Sequence, residues 1–444
     1  MTRAPRSLTG QVKEKLIQKA MERRMAQMES VTEMGRSSPL RASMPEAFYR
    51  FDQQSGYQQV RLMEEGGRRL GVKSPFFHVH EGIASAHSQI AGRQVINFSS
   101  YNYLGLSGHP TVNAAAQDAI QRYGTSVSAS RIVAGERPLH QALERAIAHR
   151  YGVDDALVMV SGHATNVTVI GHLLGPRDLV LHDEYAHNSI VQGILLSGAQ
   201  RLSFSHNDLA ALESLLEEHR RRVERVLIVV EGLYSMDGDF PDLPRLVEIK
   251  NHYQSWLMVD EAHSFGVLGA TGKGISEHFG VDARGVDIWM GTLSKALASC
   301  GGYIAGEKAL VENLRYLAPG FLYSVGLSPP LAAAALAALQ QMTAEPQRIS
   351  RLQAVGRDFL QRMRALGLDT GHGAGYAITP LIVGSSLEAV RLSSRFLAHG
   401  IHVQPILYPA VPEKQARLRF FLSTEHRTED LDQTLSVLRE VLNR

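Results

Sequence analysis

Trp256-Leu257-Met258-Val259-Asp260 is a short apolar run that stops on a carboxylate. Three other runs have the same form, Ala156–Val160, Val226–Glu231 and Ile288–Gly291, each ending at polar or glycine residues. Stretches with helical periodicity separate them, such as Leu139–Tyr151 and Leu209–Arg221. A strand that is apolar throughout must be covered on both faces. Alternation of such strands with amphipathic helices predicts an α/β fold on a mostly parallel sheet. In open sheets of this kind ligands collect beyond the C-terminal strand ends. Here those ends carry most of the unusual polar residues.

The rest of the chain is organised around that sheet. Its 444 residues exceed what one core usually holds, so a large domain with a smaller one attached is expected. The reading places a basic extension and linker at residues 1–50, a joining segment at 51–95, a large domain at 96–330 and a smaller C-terminal α/β domain at 331–444. Residues 1–50 hold ten Lys/Arg against five Glu, and Val12, Leu16, Ile17, Met21, Met25 and Met28 recur at helical spacing. Residues 10–29 therefore predict a basic amphipathic helix, with Gly35 to Pro45 as a linker. Two readings stand for it: a solvated extension, or a docking helix for an acidic partner such as a carrier protein.

Composition excludes several classes. A formal charge of +2 gives no global argument for nucleic-acid binding. The single cysteine, Cys300, rules out an intramolecular disulfide, and a cytoplasmic setting is expected. No run approaches the roughly 20 apolar residues that span a bilayer. The alanine-rich Leu331–Leu339 follows Pro329 and Pro330 and predicts a buried helix start.

Five elements carry candidate chemistry. Gly291-Thr292-Leu293-Ser294-Lys295-Ala296, followed by Gly301-Gly302, places a lysine among small residues just past a strand. Such an amine can approach an aldehyde, and apolar or cationic neighbours can lower its pKa. Asp260 and His263 belong to Val259-Asp260-Glu261-Ala262-His263. A carboxylate at that strand end can keep a pyridine nitrogen protonated, which makes the ring a better electron sink. Ser161-Gly162-His163-Ala164-Thr165-Asn166 opens a helix after a strand, where free backbone amides suit a phosphate. In His182-Asp183-Glu184-Tyr185-Ala186-His187 a histidine stacked on an aromatic cofactor is the better reading. A metal site is not expected, because thiolate ligands and zinc-type spacing are missing. Arg417-Leu418-Arg419 lies on an alternating strand, and an arginine there can bind a carboxylate bidentately. Each element has a plainer reading alone: surface lysine, helix cap, ordinary turn, sheet-surface arginine. Their order and spacing in one chain set them apart.

With these motifs the chain resembles the α-oxoamine synthase family of fold-type I pyridoxal 5'-phosphate (PLP) enzymes, which includes serine palmitoyltransferase and 8-amino-7-oxononanoate synthase. The resemblance rests on Asn102 to Leu106, Ser128 to Arg131 with Leu139, His140, Leu143 and Glu144, Glu231 to Gly238, Asp260 to His263, Gly291 to Lys295, and Arg419 ahead of His426. It implies a large mostly parallel-sheet domain, a smaller C-terminal domain and a homodimer with shared active sites. Lys295 would hold PLP as a Schiff base, Asp260 would pair with the pyridine nitrogen, His263 with the phenolic oxygen, and His187 would stack on the ring. Ser161, Gly162, His163 and Thr292 would hold the phosphate, with Ser235 near the cofactor. Arg419 would bind the substrate carboxylate, with Asn102 and Ser128 bordering the substrate. The chain departs from the family before Pro329-Pro330, where either Ser324 or Ser328 would reach the partner subunit's phosphate. It also has His163 where simpler members often have an aromatic residue.

The implied reaction is a decarboxylative Claisen-type condensation. A small amino acid (serine, alanine or glycine) and an acyl thioester would give an α-aminoketone, CO2 and free thiol. The segment Phe76 to Gly82 and the long N-terminus resemble serine palmitoyltransferase-type members and synthase domains of polyketide assembly lines. That leans toward a longer acyl chain, on CoA or a carrier protein. The competing expectations are an aminotransferase or lyase on the same fold, and a non-catalytic partner subunit. Retention of Lys295 argues against the last.

Overall fold

The computed structural model describes residues 44–69, 71 and 74–442, so the predicted helix at 10–29 lies outside the described residues. Contacts divide the chain into two units, one ending at Gly71 and one following it. The first contains two short turns, Glu46–Phe48 and Phe51–Gln53, and the helix Ser55–Arg69.

The second unit begins with β1 (His80–Glu81), β2 (His87–Ile90) and β3 (Arg93–Asn97). The main sheet follows: β4 (Asp155–Met159), β5 (Leu179–Asp183), β6 (Gln200–Phe204), β7 (Val226–Glu231), β8 (Trp256–Asp260), β9 (Ile288–Thr292) and β10 (Gly302–Gly306). Toward the C-terminus come β11 (Ile378–Ile382), β12 (Ile401–His402), β13 (Gln404–Ile406) and β14 (Arg417–Phe421). The seven central strands lie in the order β4-β10-β9-β8-β7-β5-β6. All neighbouring pairs are parallel except those of β10, which runs antiparallel to β4 and β9. Strands β11, β14 and β13 form a small antiparallel sheet, and β12 joins β3 in parallel.

The apolar runs explain this layering. Alternate residues of each central strand enter two separate cores: Val158, Ile228, Val230, Leu257 and Val259 on one side, Leu157, Leu227, Val229 and Met258 on the other. Full burial of each such side chain contributes about 1.5–3 kcal/mol against chain entropy. The proline-led helix Pro329–Ala344 supplies small faces to the first core through Ala332, Ala334, Ala335, Ala337 and Ala338. No helix among the described residues is long and apolar enough to cross a membrane.

Several motif residues hold the frame. Arg131 makes two hydrogen bonds to Glu144 (2.5 and 3.1 Å) and two to Glu136 (2.6 and 2.9 Å). The Val158 amide also donates to Glu144, which fixes the Pro138–Tyr151 helix against β4. His140 donates from Nε2 to the Leu327 carbonyl (2.7 Å), tying the same helix to the turn before Pro329. Arg131 and Glu144 each expose only 4% of their side chains. Removing one partner of a buried pair strands the other charge. Arg131→Ala is therefore expected to cost about 3–5 kcal/mol, measured by urea unfolding near neutral pH.

Candidate active site

The C-terminal ends of β7, β8 and β9 bring Glu231, Asp260 and, three residues past β9, Lys295 to one edge of the sheet. Parallel register sets Glu231 directly beside Asp260. Asp260 is 4% exposed and firmly held. Its Oδ1 accepts from the Ala262 amide and its Oδ2 from Asn166 Nδ2, both at 2.9 Å. The other proton of the same Asn166 amide goes to Ser189 Oγ (2.9 Å), and that hydroxyl donates to His187 Nδ1 (2.7 Å). One hydrogen-bond chain thus runs from Asp260 to His187 through two residues that sequence reasoning gave no role.

His187 caps the helix Asn188–Ser197, and its Nδ1 also accepts from the Ser189 amide at 3.3 Å. A nitrogen that accepts carries no proton. Burial, with the charges of Lys295 and Arg419, lowers the His187 pKa, so the ring is neutral. His163 meets it edge to face at 6.4 Å. His263 is held by Tyr103, whose hydroxyl lies 2.7 Å from Nδ1. Burial keeps Tyr103 protonated and holds His263 well below the usual histidine range. The tyrosine therefore donates, and His263 retains Nε2–H as a free donor.

The Lys295 side-chain amine makes no hydrogen bond or ion pair among the described residues, and its Nζ sits 5.6 Å from the centre of the Tyr101 ring. Burial lowers its pKa to about 8, aided by Arg419 and opposed by Asp260 and Glu231. Burial and the Asp260 charge push Glu231 upward. The Ser235 amide donates to Glu231 Oε2 (3.3 Å), whereas Oε1 is buried without a partner. Arg419 on β14 donates from Nη1 to the Ser235 carbonyl (2.9 Å) and packs over Phe421 at 4.5 Å. Its Nε is buried and unpartnered, so a donor remains for a ligand.

Ser161 caps the helix Gly162–Leu173 by accepting from the Ala164 amide (3.3 Å). The amides of Gly162 and His163 at the helix start have no intrahelical acceptor. A Cβ on Gly162 would lie 2.9 Å from Thr292 Oγ1, and one on Gly302 would lie 2.4 Å from Thr165 Oγ1. Two glycines thus let Thr292 and Thr165 pack directly against the start of this helix and β10. Thr292 itself donates to the Gly301 carbonyl (3.0 Å).

The remaining expected residues are placed differently. Asn102 directs its amide to the carbonyls of Ala84 and Ser107 (3.0 and 3.3 Å) and accepts from the Ser107 amide, so it shapes its own loop. Ser128 is exposed, with φ of 51°. Ser328 donates to the Thr125 carbonyl (2.7 Å) at the start of its helix, while Ser324 lies a turn earlier, half-buried. His182 is buried, with Nδ1 on the Asp183 carbonyl (2.7 Å). No group of three or more His, Cys, Asp or Glu among the described residues is placed to hold a metal.

The residues present fit PLP on three counts. A fixed carboxylate stands where a pyridinium needs one. An unpaired amine of lowered pKa stands just past the end of the next strand. A helix N-terminus, whose Gly162 and His163 amides lack intrahelical acceptors as a phosphate requires, lies beside Thr292.

Comparison with known proteins agrees with this arrangement. The model of aminotransferase class I and II matches residues 93–438. The chain is similar to 8-amino-7-oxononanoate synthase of Symbiobacterium thermophilum, with 42% identity over 382 residues, 86% of this chain and 97% of the relative. In structure it resembles serine palmitoyltransferase of Sphingomonas wittichii, with a TM-score of 0.84 and 29% identity over 88% of this chain and 98% of the other. A further serine palmitoyltransferase structure, holding PLP as its internal aldimine, matches at 0.83 with 26% identity over 88% and 98% of the two chains. Likeness of this extent, over nearly the whole length of the relatives, places the chain in a family: it belongs to the α-oxoamine synthases, within aminotransferase classes I and II.

Proposed function

We propose that this chain condenses a small amino acid with an acyl thioester, with loss of CO2, to give an α-aminoketone and a free thiol. The observation that carries the reading is the unpaired Lys295 amine set one strand from the fixed Asp260 carboxylate, with a free Arg419 donor nearby. PLP, which Lys295 and the helix start at Ser161, Gly162 and His163 with Thr292 would hold, would supply the electron sink for charge that develops at the amino-acid Cα.

The chain's own residues do the rest. Asp260 would set its carboxylate against the ring nitrogen, and the Ala262 and Asn166 donors hold that side chain in place. The neutral His187 ring offers a flat face, fixed in rotation by Ser189. His263 offers Nε2–H to an oxygen, because Tyr103 occupies Nδ1. Lys295, neutral above about pH 8, can take the proton from Cα and return it. Arg419 receives the substrate carboxylate through Nε, with Nη1 anchored on Ser235. Orientation of the two reactants is the protein's main contribution.

Serine, alanine and glycine all fit this reading, as do CoA and a carrier protein as thioester. The basic balance of residues 1–50 supports an acidic carrier. A homodimer, with Ser324 or Ser328 reaching the partner's phosphate, is part of the same proposal. Mass spectrometry of products from an amino-acid panel and several acyl thioesters tests it. Products lacking the acyl group would instead establish a transaminase or lyase.

Arg419→Ala is expected to raise the amino-acid KM by about 10- to 100-fold, the worth of a charged hydrogen bond. The KM for the thioester should stay unchanged in steady-state kinetics.

A further inference from the structure

His206 follows β6 and takes no part in the site as described. Each of its ring nitrogens faces a carboxylate. Nδ1 stands 2.9 and 3.1 Å from the two oxygens of Asp183, and Nε2 stands 2.8 Å from Asp239 Oδ2. The three side chains expose 9%, 0% and 12% of their surface. A neutral imidazole has one N–H and one lone pair. It would satisfy one carboxylate and aim its lone pair at the other, in a place that water scarcely reaches. Only the imidazolium donates to both. Although burial opposes the charge, the hydrogen bonds its N–H groups make to Asp183 and Asp239 outweigh it and push the His206 pKa up to about 9.

Aromatic rings and polar side chains surround the imidazole. Tyr185 stacks on it at 4.3 Å, Tyr234 meets it edge-on at 4.5 Å, and His372 lies at 6.1 Å. Glu184 accepts the His206 backbone amide, and Asn207 donates to Asp239 while lying 3.3 Å from Nε2. Arg417, the nearby arginine, is paired with Asp237.

The two carboxylates belong to different parts of the active site. Asp183 ends β5 and opens the loop to His187, where it also takes the Tyr185 and Asn207 amides (2.8 and 2.9 Å). Asp239 closes the turn that starts at Glu231 and contains Ser235, the residue that anchors Arg419; its carbonyl takes the Tyr234 amide. We propose that His206 is a positioning residue, a bridge charged at neutral pH that sets the loop carrying His187 against the turn holding Arg419. Its kinetic consequence rests on the condensation reading, whereas its charge can be tested without substrate.

The first arm uses the full-length protein with ¹⁵N-labelled histidine. The imidazole signal that disappears in His206→Gln should keep both ring protons at neutral pH and lose one near pH 9. A ring at this position that is neutral at neutral pH overturns the proposal. The second arm compares melting temperatures of parent and variant from about pH 6 to about pH 10. A folded pKa of about 9 against an ordinary 6.5 means that the bridge's stabilisation is complete below 6.5 and is lost as pH rises through 9. The parent's advantage should shrink across that window, and a constant difference overturns the idea.

The third arm is kinetic, on PLP-loaded protein. His206→Gln should lower kcat by about 10- to 100-fold and raise the amino-acid KM by about fivefold, with the thioester KM within about twofold. An unchanged amino-acid KM overturns the positioning role. Should His206→Gln not fold, Asp239→Asn replaces it, since the Asp183 contact remains. Proton loss and the stability break should then both move to lower pH, and no movement overturns the proposal. If the condensation reading were wrong, the third arm would have no reaction to follow, while the first two would still report the bridge.

Discussion

Lys295→Ala is expected to lower kcat by about 10⁴-fold, the upper end of what one positioned proton-transfer group supplies, while the chain still folds. The fold should survive because Lys295 makes no hydrogen bond or ion pair that alanine would orphan. The lysine also has a measurable signature before any turnover. Attack on an aldehyde needs the neutral amine. Burial and Arg419 bring the amine to about 8, so its neutral fraction should rise tenfold per unit up to that pH and then level. The rate at which the PLP-free protein develops the absorbance of bound PLP should follow the same curve. A limb near the ordinary 10.5 would mean that the amine is solvated and unperturbed, and the assignment of Lys295 would fail.

Much of this was readable before any coordinates. Trp256–Asp260 and Val226–Glu231 coincide with β8 and β7, since an unbroken apolar run bounded by polar residues leaves little choice of register or face. The small antiparallel sheet and β10 were harder. β10 runs Gly302 to Gly306 and looks like a turn, yet close packing at both its ends needs glycine: Cβ atoms on Gly302 and Gly306 would strike Thr165 and the Asp287 carbonyl. Glu231 carried the same signal as Asp260, a carboxylate closing an apolar run, but was noted only as part of a motif. Its closeness to Asp260 comes from the pairing of β7 with β8, which no spacing within either strand reveals.

The supporting residues were illegible for a related reason. Asn166 reaches both Asp260 and Ser189 only because two helices approach closely at Gly193, where a Cβ would lie 2.8 Å from the Asn166 carbonyl. His206 follows a mostly exposed edge strand, and its partners come from the end of β5 and from the turn after β7. Arg131, His140 and Glu144 stood out as a motif without disclosing that their work is to lock a helix onto β4 and the turn at Leu327. Local pattern locates strand ends; it does not report which side chains from separate elements converge there.

Asp260→Asn tests that convergence most sharply. The substitution keeps size and removes charge. The carboxylate accepts from two donors, the Ala262 amide and Asn166 Nδ2. An asparagine presents one oxygen and one NH2, so one donor must face another donor, at a cost of about 1–3 kcal/mol in stability. Loss of the charge that holds a pyridine nitrogen protonated should lower kcat by about 10²- to 10³-fold, as for other preorganised groups in dry sites. The charge also acts on its neighbours. It supports the protonated form of Lys295 and raises Glu231. Without it, burial and Arg419 act on Lys295 less opposed, and the amine should lose its proton below pH 8. The limb for PLP uptake should therefore move to lower pH in Asp260→Asn even as turnover collapses. The two effects have opposite signs at pH 7, faster capture and slower catalysis, and general unfolding cannot produce that pair. A limb that stays in place would separate Asp260 from Lys295 electrostatically and leave the strand-end carboxylate with no more than a structural part.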